Sequence, residues 1–454
     1  MIAAARLAAY DALHAVDTGR HDLPQALHIV RAGLPDERDR ALAAEIATGA
    51  LRWQGAFDHL VAAASGRPLA KLDREVLIIF RMTLFQLLHL DRVPPSAAVN
   101  DAVSLTKRAG KRSAAPMVNA VLRRVLRERR SLPLPPRPSD PHDVQASTTY
   151  LAVTLSQPRW LVERWLTRYG FDATEAWARF NNSAAPLTLR INRLRTSREG
   201  LIAALAAEGV TVEPGRFGAD ALIVTRGNPL MTSLSGDGSF FLQDEASQLV
   251  ASFVRARAGE HILDACASPG GKTTAMAAEM GDTGLLAATD VRGRRVDLLA
   301  RTVATSGARN IRVIQADAAA PLPFRPVFDA VLLDAPCSGL GVIRRDPDLK
   351  WRRSEEALPV LAETQSRLLH HAAAVLKPGG RLIYATCSSE PEENDQVVDA
   401  FLQTHPDFSP GSPPDMPAAV RELLDETGRL RTLPHRDGLE SFFAVTLVKS
   451  AGPQ

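Results

Sequence analysis

The chain has 454 residues, of which 45% are hydrophobic and 23% are charged, and its formal net charge is +3. This length exceeds one ordinary domain, so two or three are expected, and the mild positive charge permits a nucleic acid partner without establishing one. Three cysteines are too few for a disulfide framework, and no apolar stretch is long enough to span a bilayer, so we expect a cytoplasmic protein.

The first part of the chain, residues 1–131, is predicted to be an all-helical domain. Apolar residues recur at three- and four-residue spacing in five segments, Ala3–Val16, Asp36–Trp53, Leu72–Leu90, Ser96–Lys107 and Ala115–Arg127. Pro94-Pro95 separates two of these helices, and Ser96 is the predicted N-cap of the second. The proline-rich residues 132–145 then form a predicted linker, because such a stretch is stiff and hard to fold.

The remaining chain is predicted to form two further domains. Residues 146–235 mix patterns typical of helices (157–169, 171–180 and 197–208) with one strand (187–192), which indicates a small α+β module. From 236 to 450, short apolar runs alternate with helical segments, and runs such as Ala330–Leu333 lack the alternation of a half-exposed strand. This pattern predicts a doubly wound α/β domain with a mainly parallel sheet. Its six predicted strands are His261–Ala265, Gly284–Asp290, Ile311–Asp317, Val327–Asp334, Arg381–Cys387 and Phe442–Lys449.

A glycine turn connects the first of these strands to a helix. Gly270 and Gly271 let the backbone approach a ligand, and the start of the following helix presents free N–H groups. A P-loop would need glycine at Cys266, and the turn lacks the three glycines of a dinucleotide site. A nucleoside without a phosphate chain needs no phosphate cradle, so S-adenosylmethionine suits this turn better than ATP or NAD.

Acidic residues close the strands that follow the turn. Asp290 lies about twenty residues further on, where an acid can bind ribose hydroxyls. Asp317 closes the third strand, at the expected height of an adenine, and Asp334 closes the fourth. Ligands bind a doubly wound sheet at the carboxyl ends of its strands. The three acids therefore favour a cofactor site over the alternative that the glycine turn is only a tight structural loop.

Two cysteines lie in separate loops, in the runs Asp334-Ala-Pro-Cys337 and Ala385-Thr-Cys387. No two cysteines of the chain are spaced as a C-x-x-C metal or redox motif. Any one cysteine taken alone is most simply a small buried hydrophobic residue. Two of them in two loops at strand ends, one beside an aspartate, instead indicate thiolate chemistry on a bound substrate.

Longer motifs surround these cysteines: the run from Leu333 to Trp351, Tyr384-Ala-Thr-Cys-Ser388, and Pro391-Glu-Glu-Asn394. They resemble those of the RNA 5-methylcytosine methyltransferases, most closely the bacterial RsmB branch. The N-terminal helices are similar to the RNA-binding protein NusB, notably in the runs 90–95 and 118–124. The runs 189–194 and 243–248 match segments that join the two parts in that branch, so the likeness covers nearly the whole chain.

The resemblance implies a Rossmann-like class I methyltransferase domain, preceded by the α+β module, as a second RNA-binding part, and a NusB-like RNA-binding domain. It implies S-adenosylmethionine-dependent methylation of C5 of a cytosine in 16S ribosomal RNA, with no metal. Cofactor contacts are then expected at Cys266, Ala267, Ser268, Pro269, Gly270, Gly271, Lys272, Asp290, Asp317 and Asp334. The thiol of Cys266 is expected only to pack, and Lys272 either contacts the cofactor carboxylate, which we favour, or is solvated.

Methylation at C5 requires a nucleophile that adds to C6, a carboxyl group near N3 and a group that assists departure of the nucleophile. Cys387, Asp334 and Cys337 supply these three parts, and the resemblance implies Cys387 as the nucleophile and Cys337 as the group that aids release. Cys337 is the alternative nucleophile, because a Pro-Cys thiol attacks in the DNA cytosine enzymes.

The RNA partner is expected to be 16S ribosomal RNA, unassembled or in a partly assembled small subunit. The target base must lie in a loop or be flipped out, because a helix hides C5 and C6. By analogy with NusB, basic clusters at 107–112 and 123–130 would hold the RNA backbone, although each is equally well an exposed helix face. Lys350 and Arg344-Arg345 either bind phosphate or are solvated, and Asp346 is left unassigned.

Two other functions stay open at this point. One is the same chemistry on tRNA, and the other is a noncatalytic RNA-binding protein of NusB type. We expect a monomer with no membrane or DNA partner.

Overall fold

The computed structural model describes residues 2–411 and 416–451. The chain divides into two compact units, Met1–Ala184 with Ile343–Glu355, and Ala185–Val342 with Glu356–Gln454. The predicted domain boundaries near 131, 145 and 235 do not coincide with this division, and as domain boundaries they stay predictions.

The first unit is helical throughout its regular structure. Its α-helices are Ala4–Asp17, Leu23–Ala32, Glu37–Arg52, Gln54–Ser65, Arg74–His89, Pro95–Arg108, Ala115–Arg127, Val144–Thr149, Arg159–Asn182 and Leu349–Arg352. Short 3-10 turns span Leu69–Lys71 and Arg112–Ala114, and a π-helical turn spans Tyr150–Thr154. The five predicted N-terminal helices are confirmed, and the helices at Leu23 and Gln54 were not predicted. The predicted cap is wrong, because the helix begins at Pro95 with Pro94 before it.

The predicted linker is not a free tether. Leu132 and Leu134 pack against the hydrophobic core of the helical unit, and the hydroxyl of Thr154 donates to the carbonyl of Pro135 at 2.6 Å. Further along, Gly170 has a non-helical conformation and divides the segment Arg159–Asn182, which agrees with the two helices predicted there. Proline-rich composition therefore marked a segment that has no regular structure as far as Asp143, after which a helix begins, and that is held by side-chain burial.

The second unit contains two sheets. The smaller one is antiparallel and has the strands β1 (Thr188–Ile191), β2 (Thr211–Pro214), β3 (Ala221–Arg226) and β4 (Phe240–Leu242), in the order β2-β3-β1-β4. Leu201 and Leu205 of the helix Arg198–Ala207 share a core with Leu189 and Ile191 of β1. A helix that shares a core with an antiparallel sheet matches the predicted α+β character.

The larger sheet has eight strands: β5 (His261–Asp264), β6 (Leu285–Asp290), β7 (Ile311–Gln315), β8 (Phe328–Asp334), β9 (Leu376–Thr386), β10 (Phe408–Pro410), β11 (Leu430–Arg431) and β12 (Phe443–Lys449). Their order is β10-β12-β9-β8-β5-β6-β7, with β11 beside β12. β5 to β9 are parallel, and β12 is antiparallel to β9. Associated helices are Glu245–Phe253, Gly271–Glu279, Gly293–Ser306, Ala357–Ala374, Asp395–Thr404, Ala418–Arg421 and Pro434–Asp437, with 3-10 turns at Leu340–Val342 and Pro391–Glu393. A further 3-10 turn, Pro229–Met231, lies between β3 and β4 of the smaller sheet.

The predicted doubly wound sheet is confirmed, since all six predicted strands are present and apolar clusters cover both of its faces. β10 and β11, with three and two residues, are too short to give a recognisable pattern and were not predicted. β5 pairs with both β6 and β8, so the strand order reverses beside it. A crevice at the carboxyl ends of strands, at such a reversal, is where open α/β sheets bind ligands. Within the described ranges, no helix is long and apolar enough to cross a membrane.

Candidate active site

The glycine turn leaves β5 and leads directly into the helix that begins at Gly271. Gly270 has φ of +104°, and a Cβ atom there would lie 2.9 Å from Cδ1 of Leu299. This position therefore favours glycine mainly for its conformation, because the nearest atom belongs to the flexible end of the Leu299 side chain. The turn brings the backbone of Cys266 to Gly270 to the strand ends, as the motif predicted.

Two polar atoms in and beside this turn are buried and have no hydrogen-bond partner in the part of the chain that the structure describes. Asp264, the last residue of β5, is 1% exposed, and the hydroxyl of Thr273 donates to its Oδ2 at 2.7 Å. Its other oxygen, Oδ1, and the hydroxyl of Ser268 have no hydrogen-bond partner among the described residues. Burial raises the pKa of Asp264 to about 7, against the opposing effect of the Thr273 hydrogen bond. Unsatisfied buried polar atoms beside a glycine turn fit a polar ligand such as S-adenosylmethionine.

The strand-end acids occupy different environments. Asp290 is buried at the end of β6, and its Oδ2 lies 3.8 Å from Nε of Arg295. Asp334 lies at the end of β8 and is partly exposed. Asp317 lies two residues beyond the end of β7, is exposed, and accepts a hydrogen bond from the N–H of Ala319 at 2.9 Å. The structure thus places Asp290 and Asp334 at strand ends as predicted, and Asp317 in the loop after its strand.

Lys272 points at Asp334. Its Nζ lies 2.7 Å from Oδ2 of that residue and 5.6 Å from the ring centroid of Phe442. Burial by itself lowers the pKa of Lys272, but the charge of Asp334 and its hydrogen bond outweigh burial and raise it. Lys272 is therefore a charged, largely buried group between the glycine turn and β8. It is not solvated, and its predicted contact with a cofactor carboxylate stays a prediction.

Cys337 and Cys387 meet in space although 50 residues separate them. β8 and β9 are parallel neighbours, and Asp334 pairs with Ala385, so the loops that follow the two strands begin side by side. The two Sγ atoms are 3.3 Å apart, and both side chains are half-buried. The hydrogen bond with Cys387, then burial, and then the charges of Cys387 and Glu393 raise the pKa of Cys337 well above its ordinary value.

The third cysteine, Cys266, has a different environment. Its side chain packs against a hydrophobic cluster, and burial, followed by the charges of Asp264 and Asp334, raises the pKa of its thiol. A protonated, packed thiol is unreactive. Among the described residues there is no group of three or more His, Cys, Asp or Glu side chains that could hold a metal ion.

The loop that follows Cys337 belongs in part to the helical unit. Lys350 is 1% exposed, and its ammonium donates to the carbonyls of Arg52 at 2.9 Å and Ser156 at 2.5 Å. Trp351 donates from Nε1 to the carbonyl of Leu51 at 2.6 Å. Both interpretations offered for Lys350, phosphate binding and solvation, are therefore wrong, because the ammonium is buried and occupied.

Two neighbouring residues of this loop, Arg344 and Asp346, are also held or buried within the protein. Arg344 stacks over the ring of Phe180, with 4.3 Å from its guanidinium carbon to the ring centroid, and donates to the carbonyl of Ala184. Burial, followed by the charges of Asp348 and Asp22, raises the pKa of Asp346 to about 6.

Most basic side chains of the two N-terminal clusters are exposed, among them Lys107, Arg108, Arg112, Arg123, Arg127, Arg129 and Arg130.

Three polar residues of the site were given no role from the sequence. Asp264 lay within the predicted strand His261–Ala265, and Glu393 and Asn394 lay within the motif Pro391-Glu-Glu-Asn394, but only tertiary contacts show what these residues touch. Glu393 is fully buried and bonded to the serines that follow Cys337 and Cys387. Their positions in the sequence pattern marked these residues as candidates, but the pattern did not show which groups they contact.

Comparison with known proteins gives matches along almost the whole chain. Family models match for the 16S rRNA methyltransferase RsmB/F over residues 251–448, the NusB family over 3–127 and an RsmF/B-like ferredoxin-like domain over 157–231. The probable ribosomal RNA small subunit methyltransferase B of Bacillus subtilis is 35% identical over 425 residues, 93% of each chain. The ribosomal RNA small subunit methyltransferase B of Pseudomonas putida is 34% identical over 453 residues, 98% of each chain. A solved methyltransferase homologue from Pyrococcus horikoshii has a TM-score of 0.58 and 26% identity, and the match covers 67% of this chain and 99% of that one.

Proposed function

Since this chain belongs to the RsmB/F family of S-adenosylmethionine-dependent 16S rRNA methyltransferases, we propose that it methylates C5 of a cytosine through a covalent bond between Cys387 and C6. The observation that carries this proposal is the 3.3 Å approach of the Cys337 and Cys387 sulfur atoms beside Asp334. Two thiols from different loops, at the ligand edge of a methyltransferase sheet, are what a nucleophile and a release group require.

The attacking role is assigned to Cys387. The choice of Cys387 over the alternative nucleophile Cys337 follows the family resemblance, in which the thiol of the Thr-Cys motif attacks. The hydrogen bond with Cys387 and burial raise the pKa of Cys337, which fits a thiol that gives up its proton only during release. As the Cys387 sulfur bonds to C6, electrons of the C5–C6 double bond move toward C5 and the ring, which makes C5 nucleophilic.

Negative charge that builds on the ring during this addition needs a partner near N3. We assign that role to Asp334, partly exposed at the strand end, whose carboxyl group must carry a proton in order to donate a hydrogen bond to N3. The ammonium of Lys272, 2.7 Å from Asp334, supplies a compensating positive charge in a site where burial strengthens electrostatic interactions.

S-adenosylmethionine supplies an electrophilic methyl group when bound. The residues proposed to hold it are Cys266, Ala267, Ser268, Pro269, Gly270, Gly271, Lys272, Asp290, Asp317 and Asp334. Support for this set comes from the unpartnered oxygen of Asp264 and hydroxyl of Ser268, and from the buried position of Asp290 at the end of β6.

Release reverses the sulfur bond. After C5 carries the methyl group, a water molecule accepts the C5 proton, the electron pair of that C–H bond restores the C5–C6 double bond, and the C6–sulfur bond breaks with its electrons going to sulfur. The protonated thiol of Cys337 lies close enough to Cys387 to donate its proton to the departing sulfur. Cys337→Ala is therefore expected to form the adduct but to release it slowly.

Trapping on RNA that contains 5-fluorocytosine tests the proposal, because fluorine at C5 cannot leave as a proton and the adduct persists. Wild-type protein should form a covalent complex with a 16S rRNA transcript and not with tRNA. An adduct on tRNA alone would indicate a tRNA cytosine-C5 methyltransferase. The absence of an adduct on either RNA would favour a noncatalytic RNA-binding protein. We expect the substrate to be free or partly assembled 16S rRNA, bound in the cytoplasm by a monomer through the exposed basic clusters at 107–112 and 123–130.

A further inference from the structure

A single buried carboxylate lies between the two cysteine loops. Glu393 is fully buried in the 3-10 turn Pro391–Glu393. Its Oε1 accepts hydrogen bonds from the N–H of Ser338 at 2.8 Å and from Nε2 of Gln365 at 2.9 Å. Its Oε2 accepts from the hydroxyls of Ser338, at 2.5 Å, and Ser388. A buried charge is tolerated when it is bonded in this way, and each such bond to a charged acceptor is stronger than a neutral one.

The two serines stand in equivalent positions. Ser338 directly follows Cys337, and Ser388 directly follows Cys387. Their hydroxyl oxygens are 3.2 Å apart, on the same carboxylate oxygen of Glu393. One side chain therefore fixes the residue after each thiol.

The residue before each thiol is fixed by the same group of side chains. Gln365, which donates to Glu393, also donates to the carbonyl of Pro336 at 3.1 Å. Asn394, next to Glu393, accepts from the hydroxyl of Thr386 at 2.5 Å and donates to the carbonyl of Ser388 at 3.0 Å. Each cysteine is thus held on both sides, and both sets of bonds converge on residues 393 and 394.

We propose that Glu393 is a positioning residue that holds the Cys337 and Cys387 loops together, so that attack and release use two thiols in fixed relation. The proposal rests on the proposed function for its consequence in catalysis, but not for the arrangement of the thiols. Glu393 touches neither the substrate ring nor the methyl donor in this role. Its charge also helps to keep Cys337 protonated, because a nearby negative charge disfavours the thiolate.

Glu393→Gln is the first test, because glutamine has nearly the same shape but one oxygen acceptor in place of two. The expected result is a fall of about hundredfold in the rate of adduct formation on 5-fluorocytosine RNA, with the KM for RNA nearly unchanged, since misplacement of about 1 Å has such an effect. Ser388→Ala should lower the rate by about tenfold, the effect of losing one bond to a charged group. In the Glu393→Gln background, Ser388→Ala should lower it little further.

Two readouts need no RNA and would not respond to a general loss of stability. The first is the ratio of Cys337–Cys387 cross-link to singly alkylated protein after reaction with dibromobimane. This small reagent bridges two thiols only when they lie close together. The second is the pH dependence of Cys337 alkylation by iodoacetamide, followed by mass spectrometry. Glu393→Gln should lower the cross-link ratio by about tenfold and shift Cys337 alkylation to lower pH.

Glu245→Gln is the matched control, since Glu245 is also buried and its Oε1 accepts from the N–H groups of Phe217 at 2.6 Å and Gly218 at 2.8 Å. It should lower the unfolding temperature without changing either thiol readout. A wild-type cross-link ratio and alkylation profile in Glu393→Gln would overturn the proposal, as would equal changes in Glu245→Gln. If wild-type protein forms no adduct, the proposed function fails, and the cross-link comparison still decides the role of Glu393.

Discussion

The glycine turn after β5 and the paired cysteine loops after β8 and β9 lie at the same edge of one sheet, but they satisfy their polar groups in opposite ways. At the turn, Asp264 and Ser268 keep buried polar atoms without a partner among the described residues. At the cysteine loops, the buried carboxylate of Glu393 accepts four hydrogen bonds from the protein itself. Buried polar groups are normally paired, so the turn keeps polar atoms available to a ligand, whereas the protein itself satisfies the carboxylate of Glu393. In the second region the buried Oε1 of Gln365 has no partner within the described ranges.

This difference indicates that the site separates binding of the cofactor from positioning of the two thiols. The turn leaves interactions open for a group that enters and leaves in every catalytic cycle. The cysteine loops must hold two sulfur atoms in one geometry before any substrate arrives, because positioned reactive groups lower the barrier to reaction. Changes at the turn should therefore alter ligand binding and the pH dependence of stability, and changes at the loops should alter reaction rates.

The largest expected effect concerns Asp264. Burial raises its pKa to about 7 in the folded protein, from an ordinary value of 3.8, so the folded state holds this proton more tightly than the unfolded state. The contribution to stability is fully present below about pH 4 and is lost as pH rises through about 7. Between these limits, wild-type protein should lose up to about 4 kcal/mol of unfolding free energy relative to Asp264→Asn, measured by urea denaturation without cofactor.

Asp282→Asn provides a control of opposite sign. Burial would raise the pKa of Asp282, but hydrogen bonds from Arg309 and Asn310 and the charge of Arg309 outweigh it and lower the pKa. Its contribution is present above the ordinary pKa and is lost as pH falls, so Asp282→Asn should destabilise the protein at pH 7 and much less at pH 3. Parallel stability curves for wild type and Asp264→Asn would contradict the description of the turn as an unsatisfied site.

The next largest effect is expected for Gly341→Ala. A Cβ atom at this position would lie 2.0 Å from the carbonyl oxygen of Ser441 and 2.7 Å from that of Cys387. Both neighbours are backbone atoms, so the loop that carries Cys387 must move. Methylation should fall by about hundredfold, measured in single turnovers, because the nucleophile is displaced. The affinity for S-adenosylmethionine, measured by calorimetry, should change little.

The smallest effect is expected for Gly270→Ala, which strains a positive φ and presses on the flexible side chain of Leu299. Cofactor affinity should fall by about tenfold, the cost of one such strained position. The dibromobimane cross-link between Cys337 and Cys387 should form as in wild type. If Gly270→Ala weakened the cross-link, or Gly341→Ala weakened cofactor binding as strongly, the two regions would not be separate.

Much of the fold could be predicted because the signals are local. The strands β5, β6, β8 and β9 have apolar runs, and the glycine turn has its own sequence signature. The missed helix Leu23–Ala32 is amphipathic but short, with ten residues and a proline in its first turn. The missed strands β10 and β11 are too short to show any period.

The parts of the site that could not be predicted depend on contacts between distant residues. Lys272 and Asp334 were both predicted in the site, but their pairing joins residues 62 apart. Lys350 looked like a surface charge within a polar run, and only the packed structure shows it buried against the carbonyls of Arg52 and Ser156. The bonds of Glu393 to Ser338 and Gln365 likewise cross 55 and 28 residues.

The most direct test of the central claim is to identify the sulfur atom that bonds to the pyrimidine. Wild-type protein, Cys387→Ala and Cys337→Ala would be incubated with S-adenosylmethionine and 5-fluorocytosine-containing 16S rRNA, digested, and mapped by mass spectrometry. The nucleotide should be attached to Cys387 in wild type and in Cys337→Ala, and no adduct should form in Cys387→Ala. A nucleotide attached to Cys337, or methylation of ordinary RNA at the wild-type rate by Cys387→Ala, would contradict the account.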